Sequence, residues 1–414
     1  METFIARQPI FTQQQQVYAY ELLYRSGTAN NFCTAVDLNQ AAGRVIADTA
    51  LLLGTRNLTD GKKAFINVTR EVLVNGLIEL LPKELTVVEL LETIEPDDEV
   101  IAACRRLKAA GYTLALDDFV YEPRFEPLVG LADIIKVDFL STGREGRREL
   151  AQRALPQGIR LLAEKVETHE DFREAVDLGY TWFQGYFFCK PVILSRKDVP
   201  GNKLQYLRVL QEIQRPEINM EQVERVIRRD VALTFKLLRY LNSPAFSFRN
   251  EIETIRQALM LLGERQIRKW ASLVILTSLG RDKPEELVLQ ALVRARFCET
   301  IGPLIGLGNR AEDLFLTGML SLIDAILDRP LEELLKDLPL NAEIRDALAG
   351  HENKLQEVYS LTVAYERGDW EKLARLTARL GLNSPDILAL YLSAVEWATQ
   401  SYRSTGAAEQ AAGN

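Results

Sequence analysis

The chain is predicted to fold as two domains of different class, an α/β domain over residues 1–195 and an all-helical domain over residues 204–403. Three observations predict this. Up to about residue 195, short runs rich in β-branched and aromatic residues alternate with stretches of helical period. From about Gly201 onward the strand signals nearly vanish and apolar residues recur at helical spacing. Between the two, residues 195–203 (SRKDVPGNK) are polar and carry Pro200 and Gly201, so residues 196–203 are read as a linker.

In chain order, the β-rich runs occupy residues 5–11, 17–24, 63–68, 85–92, 112–119, 134–139, 160–167 and 181–188. Amphipathic patterns such as 98–110 (DEVIAACRRLKAA) and 169–178 lie between them. Eight runs is the number a closed α/β barrel needs, although an open doubly wound sheet satisfies the same alternation. The first two runs are only a few residues apart, too close for a parallel crossover, so at least one strand pair is expected to be antiparallel. In the second domain the helical patterns are 204–214, 220–228, 232–241, 252–262, 264–279, 285–301, 311–327, 331–338, 342–350, 355–367, 370–380 and 385–401. Their breakers are legible at Asn242-Ser243-Pro244, Gly263, Asp282-Lys283-Pro284, Gly302-Pro303 and Arg329-Pro330. Residues 404–414, rich in Ala, Gly and Gln without apolar period, are expected to be a disordered tail.

Composition narrows the function classes. At 414 residues, 47% apolar and 26% charged, the chain is long enough for two filled cores. It has no run of about 18 uncharged apolar residues and its start, METFIARQPIF, lacks the pattern of a signal peptide, so a soluble cytoplasmic protein without membrane association is expected. Cys33, Cys104, Cys189 and Cys298 are scattered with no CxxC pairing, which points to reduced thiols rather than a zinc site or disulfide framework. A formal charge of −8 disfavours broad nucleic-acid binding. Basic stretches at 225–229 and 265–269 read first as exposed helix faces. With two histidines, His169 and His351, a histidine-rich metal centre cannot be built within one chain.

Polar residues at the downstream ends of successive runs in the first domain carry the chemistry: Glu21, Asn67, Glu89, Asp117 with Asp118, Lys136, Glu164 and Gln184. Strand ends at one rim of a parallel barrel are where distant residues can be gathered. Five of these eight side chains are carboxylates, which repel one another without a cation, so the simplest reading is a divalent-metal site.

The same residues carry a family resemblance across nearly all of residues 1–195. Gln8-Pro9-Ile10 resembles the opening QPI of the EAL family of cyclic-di-GMP phosphodiesterases, and Glu21-Leu22-Leu23-Tyr24-Arg25 stands where the family has EALLR. Ile66-Asn67-Val68-Thr69 resembles INVS, Val88-Glu89-Leu90-Leu91-Glu92-Thr93 resembles LEITE, and Leu116-Asp117-Asp118-Phe119 resembles LDDF. Ile135-Lys136-Val137-Asp138, Ala163-Glu164-Lys165-Val166-Glu167-Thr168 and Gln184-Gly185-Tyr186 resemble LKID, AEGVET and QGY in order. The resemblance implies a TIM-like barrel with one antiparallel strand and a two-metal site for Mg²⁺ or Mn²⁺. It implies Glu21, Asn67, Glu89, Asp117 and Asp118 as metal ligands. Lys136, Glu164 and Gln184 become catalytic by the same carry-over: Lys136 polarises or helps deprotonate the attacking water, Glu164 is ligand or general base, and Gln184 orients the water. Arg25 and Gln8 would contact the nucleotide, Glu92 would support the loop after Asp118, and a homodimer is a family expectation.

Three departures stand out against the family pattern. Leu22 replaces the alanine of EAL, which is expected to change packing beside a ligand. The flexible DDFGTGYSS loop is here residues 117–125, without either glycine and with Pro123. Lys165 takes the glycine position of AEGVE. The segments between Glu21 and Asn67 and between Lys136 and Glu164 are also short for the family.

The helical domain resembles the HDOD family over roughly residues 204–390, through residues 228–233, 237–243 and Ile255-Arg256-Gln257-Ala258-Leu259 with Leu261-Leu262-Gly263. No His-Asp pair occurs in residues 201–414, which excludes an HD-type hydrolase in this half. The resemblance implies a non-catalytic output module with a protein partner that the sequence does not identify. Two functions therefore stand: a signalling protein whose divergent EAL domain binds cyclic-di-GMP and hydrolyses it weakly or not at all, or an active Mg²⁺- or Mn²⁺-dependent phosphodiesterase giving the linear dinucleotide. The rebuilt loop and Lys165 favour the first.

Overall fold

In the computed structural model, residues 3–26, 58–119, 121–190, 220–228, 254–338 and 340–404 are described, with Tyr206, Ile213 and Leu237. Eight strands close into a barrel in sequence order: β1 (Thr3–Thr12), β2 (Val17–Ser26), β3 (Lys63–Val68), β4 (Thr86–Leu90), β5 (Thr113–Leu116), β6 (Ile134–Asp138), β7 (Arg160–Glu164) and β8 (Trp182–Gln184). Closure excludes the open sheet. β1 is antiparallel to both of its neighbours, β2 and β8, and every other pair is parallel. The short 13–16 connection forces this, because a two-strand hairpin can reverse in a few residues and a parallel crossover cannot.

The crossover helices start and stop where side chains cap them. Thr69 caps α1 (Arg70–Val74) through Val72 N–H, and Asp97 caps α2 (Asp98–Ala110) through Val100 N–H. Helix α2 ends at Gly111, whose φ of +93° lets the chain turn back toward β5. α3 (Glu126–Val129) and α4 (Arg144–Ala154) follow β5 and β6. Thr168 and Asp171 form a reciprocal capping box at α5 (His169–Asp177), so His169 sits at a helix start with its Nε2 3.1 Å from the Lys190 carbonyl, away from the polar strand ends.

The barrel floor is one apolar layer: Ile10, Ala19, Phe65, Val87, Ala115, Ile134, Leu162 and Trp182, all buried. Large side chains from some strands interlock with small ones from others, the arrangement that fills a barrel of this size. Burying each large member contributes roughly 1.5–3 kcal/mol.

Chain grouping puts Met1–Lys190 with Ala364–Ala389 in one compact unit, and Pro191–Val363 with Leu390–Asn414 in a second. The linker read over residues 196–203 lies outside the described residues, and residues 364–389, read as part of the helical domain, group with the barrel. The second unit contains α6 (Met220–Arg228), α7 (Ile255–Leu279), α8 (Glu285–Ile301), α9 (Ala311–Leu320), α10 (Ile323–Leu327), α11 (Leu331–Asp337) and α12 (Ala342–Leu348). α7 is broken at Gly263, with φ +71°, as the sequence indicates, and from Trp270 to Leu279 it is buried on every side. The pattern read as one helix over 311–327 is two, α9 and α10, parted at Ser321-Leu322. Helix α13 (Lys354–Glu366) begins in the second unit and ends in the first, followed by α14 (Trp370–Leu380) and α15 (Ser384–Ser404). Apart from Tyr206, Ile213 and Leu237, the patterns at 204–214 and 232–241 lie outside the described residues, as do the Asn242-Ser243-Pro244 turn, Cys33 and the 405–414 tail.

Candidate active site

Side chains on a strand alternate between faces, so the residue two positions beyond a floor residue also points inward. Two steps on from Ala19, Phe65, Val87, Ala115, Ile134, Leu162 and Trp182 stand Glu21, Asn67, Glu89, Asp117, Lys136, Glu164 and Gln184. On the reversed strand β1 the matching residue lies two positions before Ile10, and it is Gln8. The candidate site is thus the barrel's next layer, in which polar side chains replace the apolar filling at the C-terminal rim of the parallel strands.

Lys136, 1% exposed, stands at the centre of that layer. Its Nζ is hydrogen-bonded to Glu89 Oε1, lies 2.6 Å from Glu164 Oε1 and 2.8 Å from Asp117 Oδ1, and is 3.6 Å from Glu21 Oε2. Glu21 also accepts from Asn67 Nδ2 at 3.2 Å and Gln184 Nε2 at 2.6 Å. One ammonium cannot neutralise this many carboxylates. Burial, followed by repulsion from Glu164, Glu21 and Asp118, pushes the Asp117 carboxyl up to about 9. Burial likewise pushes Glu164 up to about 7, with Glu21 and Asp118 adding to the rise and Lys136 opposing it.

The donor set fits divalent cations. Glu21, Glu89 and Glu164 form one group in which one carboxylate oxygen from each lies within 4.8 Å of the others, and Asp117, Asp118 and Glu164 form a second. Glu164 belongs to both. Asn67 Oδ1, Glu89 Oε2 and Asp118 Oδ1 are buried with no hydrogen-bond partner among the described residues, an arrangement costly without a cation and suited to one. All are hard oxygen donors, as Mg²⁺, Mn²⁺ or Ca²⁺ prefers. Carboxyls held above their ordinary range must lose protons to ligate. Mn²⁺ binding at pH 7 is therefore expected to release protons, and affinity to rise with pH toward 9. Calorimetric titration in buffers of different ionisation enthalpy reads that release, and an unchanged heat across buffers would contradict it.

Each residue singled out from the sequence has a place here. Gln8, half-buried, accepts from Gln184 Nε2 at 3.1 Å through its Oε1. Arg25 stands next to last in β2, opposite Phe4 of β1, and its side chain lies outside the described residues. Leu22 is fully buried on the face of β2 opposite to Glu21, so it packs outside the barrel rather than beside a ligand. Glu92 is exposed at the rim of a cavity of about 260 Å³ shared with Asp117, Asp118 and Phe119. The rebuilt loop is tied instead by Arg124, which makes two bonds to Glu95 (2.8 and 2.9 Å) and one to Glu122 (2.8 Å). Pro123 starts a short 3₁₀ turn, Pro123–Phe125, whose Phe125 ring meets Phe119 edge-on. Asp138, not singled out, is buried and accepts from Leu140 N–H, Ser141 N–H and Lys165 Nζ (2.7, 3.1 and 2.6 Å). Its position two residues beyond Lys136, on the same face of β6, is a period-two signal that could have found it.

In the second unit, the basic stretch around 265–269 is paired: Arg265 with Glu312, Arg268 with Glu264 and Lys269 with Glu299, at 3.1, 2.6 and 2.6 Å. Cys104 and Cys298 are buried, and Cys189 is half-buried.

The EAL domain model matches residues 2–191 and the HDOD domain model residues 202–349. Cyclic di-GMP phosphodiesterase CdgJ of Vibrio cholerae serotype O1 is 36% identical over 95% of this chain and 92% of its own length. The chain belongs to the EAL–HDOD family. Bacillus subtilis YuxH, an uncharacterized protein, is 37% identical over 96% of this chain and 98% of its own. Among solved structures, the calcium and cyclic-di-GMP complex of Klebsiella pneumoniae BlrP1 is 24% identical, covering 45% of this chain and 55% of that one with a TM-score of 0.39.

Within this EAL domain, Lys165 occupies a left-handed conformation, φ +52°, where the family pattern has glycine. A side chain there costs on the order of 1 kcal/mol of backbone strain. The Lys165 ammonium reaches Asp138 at 2.6 Å and Asp118 at 3.7 Å, so it balances the rim carboxylates rather than blocking Glu164. Gly185 permits no such replacement: at φ +148°, a Cβ would stand 2.1 Å from the Val166 carbonyl oxygen. That close approach holds Gln184 at the end of β8, where Val166 N–H donates to the Gln184 carbonyl at 3.0 Å.

Proposed function

We propose that the barrel is a divalent-metal-dependent phosphodiesterase that opens cyclic-di-GMP to the linear dinucleotide, and that the HDOD half is a non-catalytic interaction module. The observation carrying this reading is the pair of carboxylate groups sharing Glu164 around Lys136, with buried ligand oxygens left unpartnered. Likeness to CdgJ over nearly the whole chain supports the same substrate.

Glu21, Asn67, Glu89, Asp117, Asp118 and Glu164 would hold the cations. When bound, they supply Lewis-acid polarisation of a phosphoryl oxygen and lower the pKa of water. Glu164, the carboxylate common to both groups, would take a proton from water. The water oxygen bonds to phosphorus, the bond to a ribose oxygen breaks, and that oxygen leaves with a proton. Gln184 Oε1, buried and unpartnered, is placed to accept the water's second hydrogen. The Lys136 ammonium adds positive charge where negative charge grows on the phosphate.

A second reading, a receptor that binds the nucleotide without cleaving it, is favoured by one feature: the Pro123 loop and the Lys165 pairing to Asp118 change how the rim closes over a ligand. Incubating the purified protein with cyclic-di-GMP and Mn²⁺ or Mg²⁺, followed by chromatography, separates the two. Linear product is expected. Binding without product would move the barrel to the receptor class, and neither binding nor product would overturn both readings.

A further inference from the structure

Residues 364–389 group with the barrel, and they reach it through a single turn between two aromatics. Tyr365 donates its hydroxyl hydrogen to the Ile5 carbonyl at 2.9 Å, and the Tyr365 and Trp370 rings pack on Phe4 with centroids 6.3 and 5.8 Å away. Between them the chain reverses at Arg367-Gly368. Gly368 has φ +65°, and a Cβ there would lie 2.9 Å from Leu23 Cδ1, so a β-branched residue strains the turn and presses on the Leu23 methyl.

What this turn offers the barrel is a main-chain carbonyl. Gln8 Nε2 donates to the Arg367 oxygen at 3.3 Å. A carbonyl only accepts, so Gln8 must face it with its NH₂ and turn its Oε1 toward Gln184. Gln184 answers with its own NH₂, at 3.1 Å to Gln8 and 2.6 Å to Glu21 Oε2, and both hydrogens are used. Its Oε1 is left as a buried acceptor with no donor among the described residues. Two amides in series are thus held at both ends, by a carboxylate at Glu21 and by the Arg367 carbonyl. The carbonyl is the end for which no cation competes. The Arg367 guanidinium, exposed, lies 4.6 Å over the Tyr186 ring, so the turn also adjoins the residues that follow Gln184.

We propose that the Arg367-Gly368 turn is a positioning element of the barrel site: it fixes the Gln8 amide, which fixes the Gln184 amide so that Oε1 faces the attacking water. This rests on the phosphodiesterase reading for its catalytic consequence, while the amide geometry itself can be read without substrate. The test uses full-length protein labelled with ¹⁵N-glutamine, with the Gln184 side-chain NH₂ signal assigned by its loss in Gln184→Met. Gly368→Val and Gln8→Met are each expected to shift that signal. With cyclic-di-GMP and Mn²⁺, each is expected to lower kcat about tenfold, the scale that sub-ångström misplacement produces, with KM within about threefold. A Gln184 amide signal that stays unmoved in Gln8→Met, the variant that spares the turn's own packing, overturns the proposal. A wild-type protein that never yields linear dinucleotide sinks the phosphodiesterase reading alone, since the amide signal still decides this one.

Discussion

Replacing Glu164 with glutamine is expected to lower kcat for cyclic-di-GMP by about 10³-fold or more, while leaving the metal-free fold at least as stable above pH 7. The first half follows from position: Glu164 belongs to both carboxylate groups and touches Lys136, so one substitution removes a shared ligand and the proposed base together. The second half follows from linkage. The Glu164 carboxyl is raised by burial from 4.5 to about 7, so the folded state binds its proton more tightly than the unfolded chain does. Its favourable contribution is complete below about 4.5 and is lost as pH rises through 7; glutamine, isosteric and neutral, escapes that loss. Activity and thermal denaturation without metal, both followed from pH 5 to 9, check the two halves. A variant that loses activity and stability in parallel would mean that Glu164 matters by holding the fold.

The barrel was legible because its strands write their geometry locally. A run such as Lys63–Val68 shows alternation, and placing Asn67 two residues after Phe65 needs only the period of a strand. The same rule reaches Asp138, to which the motif comparison assigned no role. Closure was not legible, since eight strands satisfy both an open sheet and a barrel until the β1 to β8 pairing is seen. Neither was the conformation of Lys165, because a left-handed residue other than glycine leaves no mark in composition. The fate of Leu22 shows how a motif can mislead: counted along the letters it adjoins Glu21, yet on a strand adjacent residues face opposite ways. The contribution of residues 364–389 was invisible for a different reason. Helical period identifies Trp370–Leu380 correctly, but nothing local says that the turn before it meets Gln8, more than three hundred residues upstream.

Lys136 gives the other large effect. Substituting methionine preserves most of the chain length and apolar stem but removes the ammonium that Glu89, Asp117 and Glu164 share. Removing one partner from a buried ionic cluster typically costs about 3–5 kcal/mol, because the remaining charges are left uncompensated. The metal-free Lys136→Met protein is therefore expected to be destabilised on that scale at neutral pH. The loss should shrink toward pH 4, where the carboxyls take up protons and need no counter-charge. Divalent cations should reverse much of it, since a ligand that binds only the folded state at a hundred times its Kd stabilises by about 2.7 kcal/mol. The rise in Tm on adding Mn²⁺ should accordingly be larger in the variant than in the wild type, where ammonium and cation compete for the same oxygens. Thermal melts with EDTA and with Mn²⁺, at pH 4 and 7.5, decide the matter. An equal Mn²⁺ shift in both proteins would show that Lys136 and the cation do not share a field, and the four carboxylates it contacts would then need another explanation for being buried together.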